Sequence, residues 1–492
     1  MGFKVIKNNR TVKLKDMAEM PLDTLRHRII SSCLKGRRLI GFFAGPHEKL
    51  YVMLADDAGS TILTACAPLN SIKHYRSLTP DLPQAHMFER EFYEETGIEP
   101  IGHPWLKGVR FPEDRPDLNS TMESYKFFKM EGEEVHEVAV GPVHAGIIEP
   151  GHFRFMCHGE RVYHLEIQLG YQHRGVEGLF AKHGNKLMPH LAESITGDTV
   201  IGHAQAYCGV IEALSGTLVT RRAHAIRGAA LELERAAMHT GDLSAICGDV
   251  AYLIGNSVFG ANRTTIINTS MLLTGSRFGR GLLKPGGVVS DINAETAAKV
   301  KKNISAAYEN IRIMAHEMFS ASSVLSRIQQ TGVLQKQTVM EAGVIGFAAR
   351  ASGVALDSRA DHPYGIYNYM PIHKHTMDSG DVFARSYLRF LEIQQSVELV
   401  KELMDNLPPG AIWKEPAALE PDSFSVSMAE GWRGAIVHAA ITDKKGSICR
   451  YKIKDPSFNN WYGLALSLRN EGISDFPVIN KSFNLSYCGN DL

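Results

Sequence analysis

Apolar residues in the first quarter of the chain fall into short runs. Leu39-Ile-Gly-Phe-Phe-Ala, Leu50-Tyr-Val-Met-Leu-Ala and Ser60-Thr-Ile-Leu-Thr-Ala each have strand length and bulky or β-branched side chains. Segments around 22–34 and 84–96 instead space their apolar residues at helical intervals. That mixture predicts a small α+β domain over residues 1–135. The polar, proline-containing stretch from Phe111 to Glu134 reads as a linker. A β-rich opening at about 136–170, with strands near His152-Phe-Arg-Phe and Val162-Tyr-His-Leu-Glu-Ile, then gives way to long helical periodicity at about 187–216, 220–260, 294–332 and 380–406. Helices of that length gain stability by burying apolar faces against one another, so residues 136–492 predict a helical bundle with flanking β-hairpins. Strands return at about 433–454, and a short helix precedes the end.

Composition narrows the partners. A length of 492 residues suggests two or three domains. Lys plus Arg (53) equals Asp plus Glu (53), which removes any global electrostatic case for nucleic acid or an anionic membrane as the main partner. No apolar run is long enough to span a bilayer, and the start Met-Gly-Phe-Lys-Val-Ile-Lys lacks a signal-peptide core, so a membrane role has to come through partner proteins. The seven cysteines are scattered, with no Cys-x-x-Cys pair, which fits free thiols in a reducing cytoplasm. The same scatter argues against an iron–sulfur cluster held by this chain.

Several motifs occur in one order. Gly141-Pro-Val-His-Ala-Gly-Ile-Ile-Glu-Pro-Gly-His-Phe-Arg-Phe155 is followed by Leu169-Gly-Tyr-Gln-His-Arg-Gly-Val-Glu177, Glu232-Leu-Glu-Arg-Ala-Ala-Met-His239 and Leu273-Thr-Gly-Ser-Arg-Phe-Gly-Arg-Gly281. Ala351-Ser-Gly-Val-Ala-Leu-Asp-Ser-Arg359, Glu430-Gly-Trp-Arg-Gly434 and Ser457-Phe-Asn-Asn-Trp461 complete the series. Together they resemble the large subunit of energy-converting [NiFe] hydrogenases of the formate hydrogenlyase type, which is related to the D-type, quinone-site subunit of respiratory complex I (NADH-quinone oxidoreductase). Glu89-Arg-Glu-Phe-Tyr-Glu-Glu-Thr-Gly-Ile-Glu-Pro-Ile-Gly-His-Pro104 is similar to the signature of the C-type subunit of complex I, so the resemblance implies a C-like domain fused ahead of a D-like one.

The chain departs from that family at the metal. The resemblance implies four cysteines around nickel and iron, two on each of two loops. The first pair falls at Thr196 and Thr199, and an ungapped placement of the second falls at Ser486 and Gly489, with Cys488 one residue out of phase. Nickel chemistry there requires thiolate ligation, so no metal site is expected. The family's C-terminal peptide, removed after nickel insertion, has little counterpart beyond this point, and nickel maturation is not expected. The complex I pattern is also incomplete. Its quinone-binding tyrosine falls at Gly197 and its hairpin histidine at Pro150, with Glu149 and His152 on either side.

The candidate site residues each have two readings. Glu149 is a proton relay or the partner of an arginine. Arg174 and Glu177, three apart, form an ion pair on a helix face, either lining a vacant cavity or pinning the hairpin to the bundle. His203 points into the cavity as a proton carrier or is satisfied by a backbone carbonyl. Asp198 is a hard oxygen ligand or a proton carrier, though one carboxylate does not make a metal site. Arg359, Asp361 and His362 form a polar cluster that by resemblance faces the active-site region, or else a turn ordered by Pro363.

The resemblance therefore implies a component of a membrane-associated redox complex, peripheral on the inner face of the cell membrane. Its implied partners are a small iron–sulfur subunit with a [4Fe–4S] cluster, like the B-type subunit of complex I, and membrane-arm subunits of the antiporter and H types. Three functions stay open. The chain passes electrons to a quinone or other small acceptor, or it is a non-catalytic structural coupler, or it is a hydrogenase with unusual ligands such as Asp198 and Cys488.

Overall fold

The computed structural model describes residues 2–182 and 187–492. In the N-terminal part, strands Lys4–Ile6, Thr61–Pro68, Lys49–Asp56 and Arg38–Gly45 lie side by side in that order, every pair antiparallel. Helices Leu22–Cys33 and His86–Thr96 cover one face, where Leu25, Ile29, Phe88 and Phe92 meet Phe42, Val52 and Leu54. The other face is also buried. Tyr51, Met53 and Ala55 pack against Phe424, Val426, Met428, Val437 and Ile441 of a second sheet. This explains the unbroken run Leu50-Tyr-Val-Met-Leu-Ala: a strand buried on both faces has no polar side to alternate with.

The second sheet runs Ile448–Lys454, Gly434–Thr442, Ser423–Gly431 and Arg10–Lys13, again antiparallel throughout. Its edge strand comes from the first 13 residues of the chain, so the N-terminal segment completes a sheet otherwise built near the C-terminus. All residues of the two central strands are buried. The strand Ser423–Gly431 was not among those expected, although Ser423-Phe-Ser-Val-Ser-Met alternates at strand period.

The bundle consists of Arg221–Asp249, Leu253–Thr274, Ala294–Ser320 and Val382–Asp405. Three expected long helices are interrupted. The stretch 187–216 splits into Met188–Glu193 and Val200–Ser215 around a loop, 220–260 breaks where Ala251 takes a left-handed φ of 57°, and 294–332 breaks at the extended Ala321. Three helices rather than one precede the end: Pro456–Ser467, Phe476–Phe483 and Tyr487–Asp491.

A three-stranded sheet, Arg161–Gln168, His152–His158 and Val135–Val140, opens the second half. The linker before it has no regular element over 102–134 but is tied down. The buried Glu166 carboxylate accepts from Lys107 Nζ (2.6 Å), Tyr125 Oη (2.7 Å) and the Phe128 N–H (2.6 Å). Among the described residues no helix is long and apolar enough to cross a membrane.

Candidate functional site

The loop Ser194–Thr199 joins two helices and faces the short C-terminal helix Tyr487–Asp491. A Cβ built on Gly489 would lie 2.7 Å from Thr196 Cγ2 and 2.7 Å from Asp455 Cγ. The fold thus brings together the two segments that the resemblance pairs around a metal, but their facing surfaces are in van der Waals contact. The connection between them is Arg174, whose guanidinium donates to the carbonyls of Ser194 (2.8 Å) and Ile195 (2.9 Å) on one side and of Cys488 (3.4 Å) on the other. Asp491 accepts from the Gly170 and Gln172 N–H groups (2.9 and 2.8 Å), which locks the turn before Arg174 to the same helix.

This donor set does not fit a thiolate-held nickel–iron centre. Thr196 Oγ1 is buried with no hydrogen-bond partner among the described residues, and Thr199 Oγ1 lies 3.4 Å from the Arg433 guanidinium. Ser486 Oγ caps its helix by accepting from the Gly489 N–H (2.9 Å), and Gly489 has no donor atom to offer. Cys488 is buried, and burial with the nearby Glu149 pushes its thiol up to about 12; it is a single thiol where the family's centre takes four. Among the described residues no three His, Cys, Asp or Glu side chains are arranged to hold a metal.

The remaining candidates have specific partners. Among the described residues Glu149 pairs with no arginine: its Oε2 accepts from the Cys488 N–H (3.0 Å), at the start of the C-terminal helix, where a carboxylate is favoured. His152 accepts from Arg154 Nε (3.2 Å) and packs on Phe127, and burial, aided by Arg154, holds its pKa below the ordinary histidine value. The expected Arg174–Glu177 ion pair does not form, because Arg174 precedes the helix, which begins at Val176. Glu177 instead pairs with Lys452 (3.1 Å) and accepts from the Ile453 N–H (2.9 Å). Asp198 forms a bidentate pair with Arg433 (2.7 Å to each oxygen), so it is engaged as a counter-ion rather than free as a ligand. Gly197 is exposed, with nothing within 4 Å of a Cβ built on it.

Arg359 lies in the bundle core. Its guanidinium binds Glu232 (2.9 Å), Asp357 (2.7 Å) and Glu392 (3.0 Å), while Arg350 reaches Glu392 (2.7 Å). Asp361 accepts from the Asp357 N–H (2.9 Å) and Lys374 Nζ (2.6 Å), and His362 Nε2 meets Asp57 of the N-terminal sheet (3.0 Å). The cluster therefore ties bundle to sheet, where the resemblance had implied a face of the active-site region.

His203 is fully buried, and its ring nitrogens meet side chains rather than a backbone carbonyl. Its Nε2 lies 3.1 Å from Asp455 Oδ2 and its Nδ1 3.1 Å from His438 Nε2. His438 Nδ1 in turn lies 2.8 Å from Tyr451 Oη. Burial pushes the Asp455 carboxyl up, but the hydrogen bond to His203, the Arg433 guanidinium and the Ser457 N–H outweigh it, leaving the pKa below the usual carboxylate value. Burial, reinforced by His203, holds His438 well below the ordinary histidine range. Sequence reading missed Asp455, His438, Tyr451 and Arg433. The available signal was a histidine inside the apolar strand Gly434–Thr442, since a buried polar group needs a partner.

Comparison with known proteins places the chain beside subunits of known redox complexes. Residues 249–425 match the family described as the 49 kDa subunit of respiratory-chain NADH dehydrogenase, and residues 44–121 match that enzyme's 30 kDa subunit. Formate hydrogenlyase subunit 5 of Escherichia coli K12 is 28% identical over 466 residues, covering 90% of this chain and 82% of the relative. Hydrogenase-4 component G of the same organism is 28% identical over 437 residues, covering 85% of this chain and 76% of the relative. The C/D subunit of NADH-quinone oxidoreductase from Phocaeicola vulgatus is 26% identical over 415 residues, covering 76% and 79% respectively.

Proposed function

This chain belongs to the family that fuses the 30 kDa- and 49 kDa-type subunits of respiratory-chain NADH dehydrogenase, shared with the formate hydrogenlyase type of hydrogenase, and we propose that it is the large subunit of a related redox complex working without a nickel–iron centre. In this reading a partner iron–sulfur subunit of the B type delivers electrons toward the Ser194–Thr199 loop, where a quinone or another small acceptor takes them up. Membrane-arm subunits of the antiporter and H types couple that step to ion translocation and hold the chain at the inner face of the membrane.

The observation that carries the proposal is the residue set on both ligand loops together: Thr196 and Thr199 on one, Ser486 and Gly489 on the other, with Cys488 the one thiol between them. A hydrogenase with Asp198 and Cys488 as ligands is disfavoured because Asp198 is committed to Arg433. Open space beside Gly197 leaves room for an acceptor on the outer side of the loop. The exposed apolar run through Val143, Ile147 and Ile148, next to Glu149, supports a docked partner, since isolated proteins seldom leave contiguous apolar surface in water.

Metal analysis and turnover of the purified, assembled complex test this. We expect nickel far below one per chain, no hydrogen evolution, and reduction of a quinone or a related acceptor. Stoichiometric nickel would overturn the metal-free reading, and an assembled complex inert toward every acceptor would leave the chain a structural coupler.

A further inference from the structure

A cavity of about 770 Å³ lies between the N-terminal segment and the start of the helix Arg221–Asp249, within the size range of small-molecule sites. Its charges do not balance. Lys7, Arg10 and Arg221 line it, and among the described residues none of the three pairs with a carboxylate. Both acids on its wall are already matched, Glu212 by Arg227 (2.6 Å) and Glu420 by Lys13 (2.8 Å). The three cations stand on separately fixed elements. The Asn8 amide donates to the His362 and Met428 carbonyls (2.9 Å each) and pins the turn that carries Lys7. Arg10 opens the edge strand opposite Val426, and the Arg221 guanidinium lies 4.8 Å from the centre of the Tyr369 ring.

The helix start adds partial positive charge at the same place. Thr220 Oγ1 accepts from the Ala223 N–H (3.2 Å), which leaves the earlier N–H groups of a 29-residue helix without an acceptor inside it. The cavity wall also holds polar atoms that nothing satisfies. Among the described residues Asn9 Oδ1, Thr11 Oγ1, His224 Nδ1 and His362 Nδ1 are buried without a hydrogen-bond partner. Folded proteins seldom leave one such atom, and four around one cavity point to groups that a ligand supplies. His362 is 1% exposed, and its Nε2 lies 3.0 Å from Asp57 Oδ1, so a ring protonated at Nδ1 stands between that carboxylate and an anion in the cavity. The Thr11 hydroxyl and the His224 ring can each donate one hydrogen bond to the same anion. Asn9 Oδ1 only accepts, and it calls for a hydroxyl on the remainder of the ligand.

We propose that this cavity binds a small molecule bearing a diphosphate and, beyond it, a hydroxyl-bearing group such as a sugar. The three cations and the helix start hold the phosphate oxygens, because charged donors and free backbone N–H groups are the natural partners of phosphate. The bound ligand bridges three parts of the fold: the N-terminal turn with its edge strand, the bundle helix, and the segment around His362. None of the lining residues belongs to the loops at the family's ligand positions, so the site stands apart from the acceptor.

Isothermal titration of the full-length chain, with ADP and pyrophosphate as probes, tests this. ADP should bind at one per chain, more tightly than pyrophosphate, and should raise the melting temperature. Arg10 and Arg221 have exposed side chains, so Arg10→Ala and Arg221→Ala should melt as the unmodified chain does when no ligand is present. Each should weaken ADP binding by about tenfold, the ratio that one charged hydrogen bond supplies. Glu420→Gln removes a carboxylate from the wall and frees Lys13, so it should tighten ADP binding. Absence of both heat and thermal shift at millimolar ADP would overturn the proposal, and so would an affinity unchanged in the Arg10→Ala, Arg221→Ala double variant. Pyrophosphate binding as tightly as ADP would overturn the hydroxyl-bearing class of ligand. None of these measurements needs a redox partner, so their failure leaves the acceptor reading standing.

Discussion

The helix Val200–Ser215 starts under a carboxyl from another helix. Thr199 makes no capping hydrogen bond, and Glu234 accepts from the Ile201 and Gly202 N–H groups instead (2.7 and 3.1 Å). Burial raises its pKa to about 8, against the opposing effect of those two donors and with help from Asp198. An acid raised in this way holds its proton longer in the folded state than in the unfolded one. The stability it contributes is therefore complete below about pH 4.5 and is lost as pH rises through about 8. Buried histidines such as His224, lowered to about 4 by burial, act in the opposite sense as pH rises toward 6.5, so the isolated effect has to come from a variant. In Glu234→Gln, the change of unfolding free energy between pH 5 and 8 should become less negative by up to about 1.4 kcal/mol per unit, measured by urea denaturation at several pH values. The cap was hidden in the sequence because Glu234 reads only as one polar position of a long helix. The loss of ligands at Thr196 and Thr199 was legible, since ligand chemistry is a property of residue type.

At the level of elements, the sequence pattern located the strands 38–45, 49–56 and 61–68 and the helices 22–33 and 86–96 closely, because each is a local periodicity. It failed where a short break interrupts a continuing pattern. The loop Ser194–Thr199 and the turn at Val250–Tyr252 both leave the apolar spacing nearly intact, so periodicity alone runs through them. The packing of the C-terminal helix against that loop makes a specific demand on Gly489. Gly489→Ala would place a methyl within 2.7 Å of both Thr196 and Asp455, neither free to withdraw. Overpacking of this kind costs about 1–3 kcal/mol, so the variant should show a clearly lowered melting temperature with unchanged far-UV circular dichroism. An unaffected melting temperature would mean that the helix and the loop do not press on each other at this point. The same contact opposes rebuilding a ligand by Gly489→Cys.

Taken as a whole, the molecule joins its halves through two sheets packed face to face. The strand Arg10–Lys13 lies at the edge of the C-terminal sheet, Arg110 donates to the Asn490 carbonyl (2.8 Å), and Glu91 pairs with Lys452. Cleavage within 112–134, where the chain has no regular element, should therefore leave two fragments that elute together in native size-exclusion chromatography and separate only in denaturant. Separate elution under native conditions would refute that union. By itself the sequence determined the fold class, the family resemblance and which residue types stand at the four ligand positions, because periodicity, motif order and ligand chemistry are written in local residue types. Only the tertiary structure decided what the segments at the family's ligand positions touch and which charges pair. The partners of His203 are 235 and 252 residues away along the chain, and Asp198 meets Arg433 across a similar distance. No local pattern encodes such pairings, since they arise only when burial forces each polar group to find a partner from whatever the fold has brought beside it.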